Sequence, residues 1–151
     1  SLYKWLRDDT TIVGTGLTYT LVTEDSGSII TFKVEPVAVT GIGPGDEVTT
    51  PGLLVVNSAP TVSGVDIIDD NGLPAVVGDT LTGDYTFADV DDDADASTFE
   101  WLRDGVVVGT DISYTLVAED SGPPITFKVT PVDDTGNTGT PITSAPITLT
   151  R

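Results

Sequence analysis

The chain has 151 residues, enough for one ordinary domain or two small ones. It carries 24 acidic and 6 basic residues, a net charge of −18 that excludes nucleic acid as a partner, because phosphate binding needs clustered Lys and Arg. Histidine and cysteine are absent, which excludes Ser–His and Cys–His catalysis and nearly all zinc chemistry. We therefore expect no enzyme, and with no apolar run of about 18 residues we expect no membrane insertion.

The predicted elements are β-strands from one end of the chain to the other. Short runs rich in Val, Ile, Thr, Tyr and Phe alternate with Gly, Asp, Asn and Pro every eight to twelve residues. Asp104-Gly105 predicts a two-residue hairpin turn with both residues at positive φ. The strands are expected near residues 2–8, 11–14, 17–22, 29–37, 46–56, 60–68, 79–88, 97–104, 106–109, 112–117, 124–132 and 141–150.

The chain contains the same stretch twice. Residues 13–36 and residues 108–131 share 17 of 24 positions, including YTLV followed after one residue by EDSG. The period of about 95 residues is the size of one small β-sandwich, which predicts two like domains, at 1–58 and 59–151. The first copy has nothing equivalent to residues 60–88. We therefore expect either that the native chain continues upstream or that another subunit donates these strands.

Eight repeated side chains are expected to be structural. The tryptophans are expected in the core, with the tyrosines of YTLV facing inward. Each arginine lies two residues after a tryptophan and needs a nearby anion, which its own EDSG segment supplies as Glu24 or Asp25 and as Glu119 or Asp120. The set comprises Trp5, Arg7, Tyr19, Asp25, Trp101, Arg103, Tyr114 and Asp120.

These motifs resemble the immunoglobulin-like β-sandwich. The segment WLRDG and the later DSG turn before ITFKV are similar to its C strand and its E–F corner, although the paired cysteines are absent and Phe127 stands near the second. Together with VGDTLTGDYTFAD, they resemble the cysteine-free immunoglobulin-like repeats of very large bacterial extracellular proteins. The resemblance implies an extracellular or cell-surface location and tandem sandwiches, the first with strands C to G only and the second complete.

An acidic loop follows the predicted strand 79–88. Oxygen ligands at a spacing of two residues suit Ca²⁺, which takes six to eight oxygens, and the crowded carboxylates repel one another without a counter-ion. The alternatives are a solvated loop or surface adaptation to salt. The candidate ligands are Asp89, Asp91, Asp92, Asp93 and Asp95.

A second acidic cluster lies early in the second unit, at Asp66, Asp69 and Asp70. It could hold a cation that stiffens the junction between the domains. The other interpretation is that Asp70-Asn71-Gly72 forms an ordinary turn.

The predicted function is structural: a rigid spacer, stalk or filament module of an extracellular bacterial array, stabilised by calcium. Its expected partners are neighbouring immunoglobulin-like domains or like subunits. The alternative is a binding module for glycan or protein within an adhesin or a secreted enzyme. That alternative predicts solvent-facing aromatic rings, whereas aromatic residues form only 7% of the chain.

Overall fold

The computed structural model describes residues 1–150, and these form strands, turns and loops. Two short 3-10 turns, at Thr23–Asp25 and Ala118–Asp120, are the only helical segments within this range. No helix in the described part of the chain is long and apolar enough to cross a membrane. The prediction of an all-β protein with antiparallel sheets is confirmed.

The chain divides into two compact units, one from Ser1 to Asn57 and the other from Ser58 to the end. Unit 1 contains a single antiparallel sheet in the order β2-β1-β3-β4, and β5 also pairs with β3. Trp5 lies opposite Phe32 across β1 and β3. The strands of unit 1 are β1 (Leu2–Arg7), β2 (Thr11–Gly14), β3 (Ile29–Glu35), β4 (Val48–Thr49) and β5 (Leu53–Leu54).

Unit 2 contains two antiparallel sheets, an arrangement consistent with a β-sandwich. One has the strand order β10-β7-β6 and the other β12-β11-β8-β9. The strands are β6 (Thr61–Asp69), β7 (Thr80–Ala88), β8 (Thr98–Arg103), β9 (Val106–Gly109), β10 (Ser113–Thr115), β11 (Ile125–Thr130) and β12 (Ile142–Thr143).

The core of unit 2 is built from side chains of both sheets. Leu81 on β7 belongs to the same fully buried cluster as Trp101 on β8 and Phe127 on β11. The rings of Trp101 and Phe127 lie 4.7 Å apart, and Phe127 packs directly on the backbone of Gly83, where a Cβ would overlap the ring. The glycine in β7 therefore makes room for the largest pair of core side chains.

The hairpin between β8 and β9 follows the sequence prediction. Asp104 and Gly105 have φ values of 46° and 82°, so both occupy the left-handed region, and the prediction is confirmed. The corresponding turn of unit 1 is one residue longer. There Asp8 and Asp9 have φ values of 50° and 59°, and Thr10 donates its N–H to the carbonyl of Arg7.

Equivalent side chains make equivalent contacts in the two units. The ring of Trp5 lies 4.6 Å from that of Phe32, as Trp101 does from Phe127 at 4.7 Å. Each tryptophan also donates its indole N–H, at 2.9 Å, to a backbone carbonyl ten or eleven residues later. The repeated sequence thus produces the same local packing twice.

Two predicted strands are missing or shortened in the structure. Residues 17–22 form no strand, and the strand expected at 112–117 is limited to Ser113–Thr115, which pairs with Thr80–Thr82 of β7. Unit 1 has no counterpart of β7, so residues 17–22 have no strand with which to form backbone hydrogen bonds. A strand at a sheet edge forms only where a partner supplies its hydrogen bonds.

The strands expected at 46–56 and 141–150 are interrupted. The hydroxyl of Thr50 accepts the N–H of Phe32 at 3.0 Å, and the hydroxyl of Ser144 accepts that of Phe127 at 3.0 Å. In each unit a side-chain oxygen replaces the backbone carbonyl that would continue the ladder. Pro51 and Pro146, which have no N–H to donate, follow within two residues and interrupt the regular pairing, which resumes at Leu53 and at Ile147.

Candidate metal site

Three aspartates of the loop between β7 and β8 converge on one point. Asp89, Asp91 and Asp93 each place one carboxylate oxygen so that the three atoms lie within 4.8 Å of one another, and all three residues are half-buried. Ca²⁺ binds oxygens at about 2.3–2.6 Å, so two ligands of one ion are separated by at most about 5 Å. The three oxygens therefore fit around a single cation of that size.

The loop conformation explains why alternate residues share one side. The Oδ1 of Asp89 accepts the N–H of Asp91 at 2.7 Å, which closes a local turn. Asp92 then takes a positive φ of 59°, a conformation that Asp tolerates better than most residues. The turn projects Asp92 into solvent and leaves its neighbours facing one another.

Two oxygens of the cluster are buried without a hydrogen-bond partner. These are the Oδ2 atoms of Asp89 and Asp93. Burial raises the pKa of Asp93, and the carboxylates of Asp89, Asp133, Asp134 and Asp91 raise it further. A buried oxygen that accepts no hydrogen bond is unfavourable, and so is the mutual repulsion of the carboxylates. A divalent cation would relieve both.

The loop is fixed to the rest of unit 2 by backbone and side-chain hydrogen bonds. The Oδ2 of Asp91 accepts the N–H of Ser58, at the start of the unit, at 2.6 Å. The segment after β11 also contacts the loop, because Asp134 donates its N–H to the carbonyl of Ala94 at 2.9 Å and Ala96 donates to Val132 at 2.8 Å. The three aspartates therefore lie where three separate stretches of the chain meet.

Asp133 and Asp134 were not predicted to belong to this site. Asp133 is 1% exposed, and its Oδ1 accepts hydrogen bonds from the N–H and hydroxyl of Thr135 and from the N–H of Asn137. The sequence did contain a signal. The equivalent positions of the first copy are Ala38 and Val39, so the two acids occur only in the copy that also has the acidic loop.

The other predicted ligands lie outside the converging group. Asp95 accepts the hydroxyl of Tyr85 at 2.7 Å and the N–H of Ser97 at 2.9 Å. Burial alone would raise the pKa of Asp95, but these hydrogen bonds lower it below its ordinary value. Asp92, at the solvent side of the turn, is also outside the group. Of the five predicted ligands, the structure brings three together.

The second acidic cluster does not converge within the described residues. Asp66 accepts the N–H of Ile67, and Asp69 accepts that of Asn71. Asp70 accepts the hydroxyl of Thr82 at 2.8 Å. These are the local hydrogen bonds of a turn and a strand edge, which corresponds to the ordinary-turn interpretation.

The repeated corner of unit 2 contains a buried ion pair. The Nε of Arg103 donates to the Oδ1 of Asp120 at 2.6 Å, and Asp120 is fully buried whereas Glu119 is exposed. Tyr114 and the N–H of Val117 donate to the other carboxylate oxygen at 3.0 and 2.8 Å. Both oxygens of the buried carboxylate thus accept hydrogen bonds, which compensates for burying the charge.

The corner of unit 1 has the same geometry. Arg7 donates to the Oδ1 of Asp25 at 2.7 Å, and Tyr19 and the N–H of Val22 donate to its Oδ2 at 2.8 and 2.9 Å. Burial alone would raise the pKa of Asp25, but the bonds from Val22, Tyr19 and Arg7 and the charge of Arg7 bring it below its ordinary value. Each ion pair thus acts as a structural clamp that connects the strand of its arginine, β1 or β8, to the 3-10 turn of its aspartate.

Comparisons of the chain with protein-family models, with curated proteins and with solved structures gave no match.

Proposed function

We propose that this chain is a structural module of an extracellular bacterial surface array or filament, in which immunoglobulin-like units act as rigid spacers stabilised by calcium. Residues 59–151 would form a complete unit, and residues 1–58 a partial one with strands C to G. The partners would be neighbouring units of the same kind. The calcium ligands are Asp89, Asp91 and Asp93, with Asp133 and Asp134 close by.

The tandem immunoglobulin-like interpretation is supported by strand pairing and by packing. In unit 2, β6, β7 and β10 form one sheet, and β8, β9, β11 and β12 form the other, as expected for the strands A, B and E and for C, C′, F and G. The Trp–Phe contact, the corner ion pair and the hydroxyl that ends the last strand occur in both units. Two copies of one fold would produce these pairs.

The observation that carries the calcium proposal is the pair of buried, unpartnered oxygens on Asp89 and Asp93. Such atoms are rare in folded proteins, and although Asp69 has one outside the group, only at Asp89 and Asp93 do they belong to carboxylates that converge. Calcium modules outside cells work at about 10⁻⁴–10⁻³ M. A site with three or more carboxylates in a loop suits that range.

The proposed consequence of binding is stiffness. Asp91 holds the N–H of Ser58, so an ion bound to Asp91 would fix the first residue of unit 2 as well as the loop. The segment after β11 would be fixed at the same time through Asp134 and Ala94. A spacer needs such fixed connections, because an array keeps its full length only if its units are rigid.

The alternative function, glycan or protein recognition, has less support. A groove of unit 2 lies between residues 59–62 and 138–142, and its lining side chains are small or aliphatic. Glycan and protein sites commonly use aromatic and charged side chains, and this lining contains neither. We therefore prefer the structural function.

The calcium proposal is tested by titrating CaCl₂ into the EDTA-stripped chain and following heat release and the melting temperature. At a free Ca²⁺ concentration about 100 times Kd, binding should stabilise unit 2 by about 2.7 kcal/mol. The order parameter of the Ser58 N–H should rise on saturation. Asp93→Asn should weaken binding at least tenfold, since it removes one charged ligand.

The matched control is Asp84→Asn, an exposed acid on β7 that lies outside the converging group. It removes the same charge from the same unit and should leave Ca²⁺ affinity nearly unchanged. Absence of any heat or melting shift would refute the calcium proposal. Equal weakening by the two substitutions would also refute it, because it would indicate diffuse screening of the acidic surface.

A further inference from the structure

One face of the sheet in unit 1 is apolar and open, and we call it the open face. We include with it Leu21, the sequence counterpart of the core residue Leu116, which is 49% exposed. The four other side chains are half-buried; the ring of Phe32 lies 4.6 Å from that of Trp5 and 6.0 Å from that of Tyr3, and Val34 lies opposite Tyr3 across the strand pair. The open face consists of Tyr3, Trp5, Leu21, Phe32 and Val34.

The equivalent face of unit 2 is closed. Leu116, which corresponds to Leu21, is 1% exposed, and Trp101, Phe127 and Val129 are fully buried. These side chains are therefore more exposed in unit 1 than their counterparts in unit 2, although Ile30 on the same side of β3 is only 3% exposed. What differs is the presence of β6 and β7.

The way β6 and β7 cover this face is specific. Val62 and Leu81 enter the core cluster with Trp101, and Gly83 lets the ring of Phe127 lie against the β7 backbone. The backbone is paired as well, because Gly78 donates its N–H to the carbonyl of Leu116 at 2.9 Å, and Leu116 donates to Asp79 at 2.9 Å. A strand pair that covers the open face in the same way therefore needs two apolar side chains, a glycine and a free strand edge.

We infer that the open face is a docking surface for a strand pair of the β6–β7 type that covers no core of its own. Its second strand pairs with residues 18–20 in the register of unit 2, where Ser113, Tyr114 and Thr115 face Thr82, Leu81 and Thr80. The leucine of that strand lies opposite Tyr19 and covers Trp5 and Leu21. Its glycine lies over Phe32.

The strand pair already in the chain is not available for this role. Leu81 is fully buried in unit 2, and Val62 is 8% exposed. If this pair moved to unit 1 of the same chain or of a second copy, the core of unit 2 would become exposed. The buried apolar area gained in unit 1 would be lost in unit 2. The occupant is therefore an additional pair with the same pattern.

This inference rests on the proposed function only in treating the two units as copies of one fold, and it is independent of calcium. Its test is therefore performed in EDTA. Residues 59–97 are fused directly ahead of Leu2 of the full chain, which reproduces the connection that leads into Thr98 in unit 2. Hydrogen exchange of the amides of residues 18–21 is then compared with that of the unfused chain.

In the fusion these amides should exchange at least about tenfold more slowly, because they gain strand partners. The fusion with Gly83→Val in the added copy should lose that protection, since the new side chain would overlap Phe32. The matched control is Thr86→Val in the added copy, an exposed position of the same strand, which should retain it.

Unchanged exchange in the fusion would overturn the inference, as would full protection in the Gly83→Val fusion. A third outcome would also overturn it. If the unfused chain gains the same protection with rising concentration, together with a dimer in sedimentation, a second copy covers the face instead.

Discussion

Leu21 and Leu116 occupy equivalent positions in the repeated segment YTLV, yet Leu21 is 49% exposed and Leu116 is 1% exposed. The difference arises from β7 and the two residues before it, because Gly78 and Asp79 pair with the backbone of Leu116 and Leu81 of β7 shares its core cluster. Burying a leucine contributes about 1.5–3 kcal/mol relative to leaving it exposed. Unit 1 lacks that contribution at this position, and a strand pair on its open face would supply it.

Replacing Asp120 by Asn should destabilise unit 2. The amide keeps the shape of the side chain but removes the charge that Arg103 contacts at 2.6 Å. Losing a buried hydrogen bond to a charged group costs about 1.5–3 kcal/mol. The urea midpoint should therefore fall with little change in the slope. The control is Glu119→Gln, which makes the same charge change at an exposed neighbour, and its stability should stay within about 0.5 kcal/mol of the parent chain. Equal losses of stability in the two variants would show that the corner clamp does not depend on Asp120.

The stability of unit 1 should depend on pH in the acid range through Asp25. Its pKa is below the ordinary value of 3.8 in the folded chain, so its stabilising contribution is fully present above that value. The contribution is lost as the pH falls below 3.8 and passes through the folded pKa. Carboxyl ¹³C shifts give the pKa directly, and Asp25→Asn should remove this part of the acid dependence. A pKa at or above 3.8 would contradict the prediction.

Gly83→Val should damage unit 2 through steric overlap. A Cβ at this position meets the ring of Phe127, so the ring or the strand must shift. Overpacking of this kind costs about 1–3 kcal/mol or more. Thermal unfolding measures the loss. Thr86→Val places the same side chain on the exposed side of β7 and should be neutral; a similar loss in both variants would point to a strand effect and not to the contact with Phe127.

Tyr85 should titrate far above a free tyrosine. Burial, the largest cause, together with the hydrogen bond to Asp95 and the charge of that carboxylate, raises its pKa from 10.0 to about 12. The folded state is therefore favoured by this group below pH 10 and loses that contribution as the pH rises through about 12. ¹³C-tyrosine NMR follows the phenolate, and Asp95→Asn should lower the pKa of Tyr85. No change in that variant would exclude the carboxylate as a cause.

Local features of the fold were predictable because neighbouring residues determine them. Asp104-Gly105 required a turn with positive φ and forms one. The alternation in WLR directed Trp101 inward and required an anion for Arg103. The sequence could not choose between Glu119 and Asp120, since the choice depends on which carboxylate the 3-10 turn buries.

The candidate metal site was only partly accessible from the sequence. The loop between β7 and β8 was recognisable from its aspartates alone. Selecting Asp89, Asp91 and Asp93 required the turn at Asp92, and bringing the charge of Asp133 close to Asp93 required the contact with the segment after β11. Carboxylates from separate strand ends become neighbours only through tertiary pairing, which leaves no local pattern.

The sequence by itself determined the all-β class, the two repeated corners and the composition of the acidic loop, because strand alternation, turn residues and charge are local properties. The tertiary structure decided which copy of YTLV becomes a strand and which Leu is buried. It also decided which carboxylates meet. These outcomes depend on a partner distant in the chain, since a strand edge needs another edge and a buried face needs a second sheet.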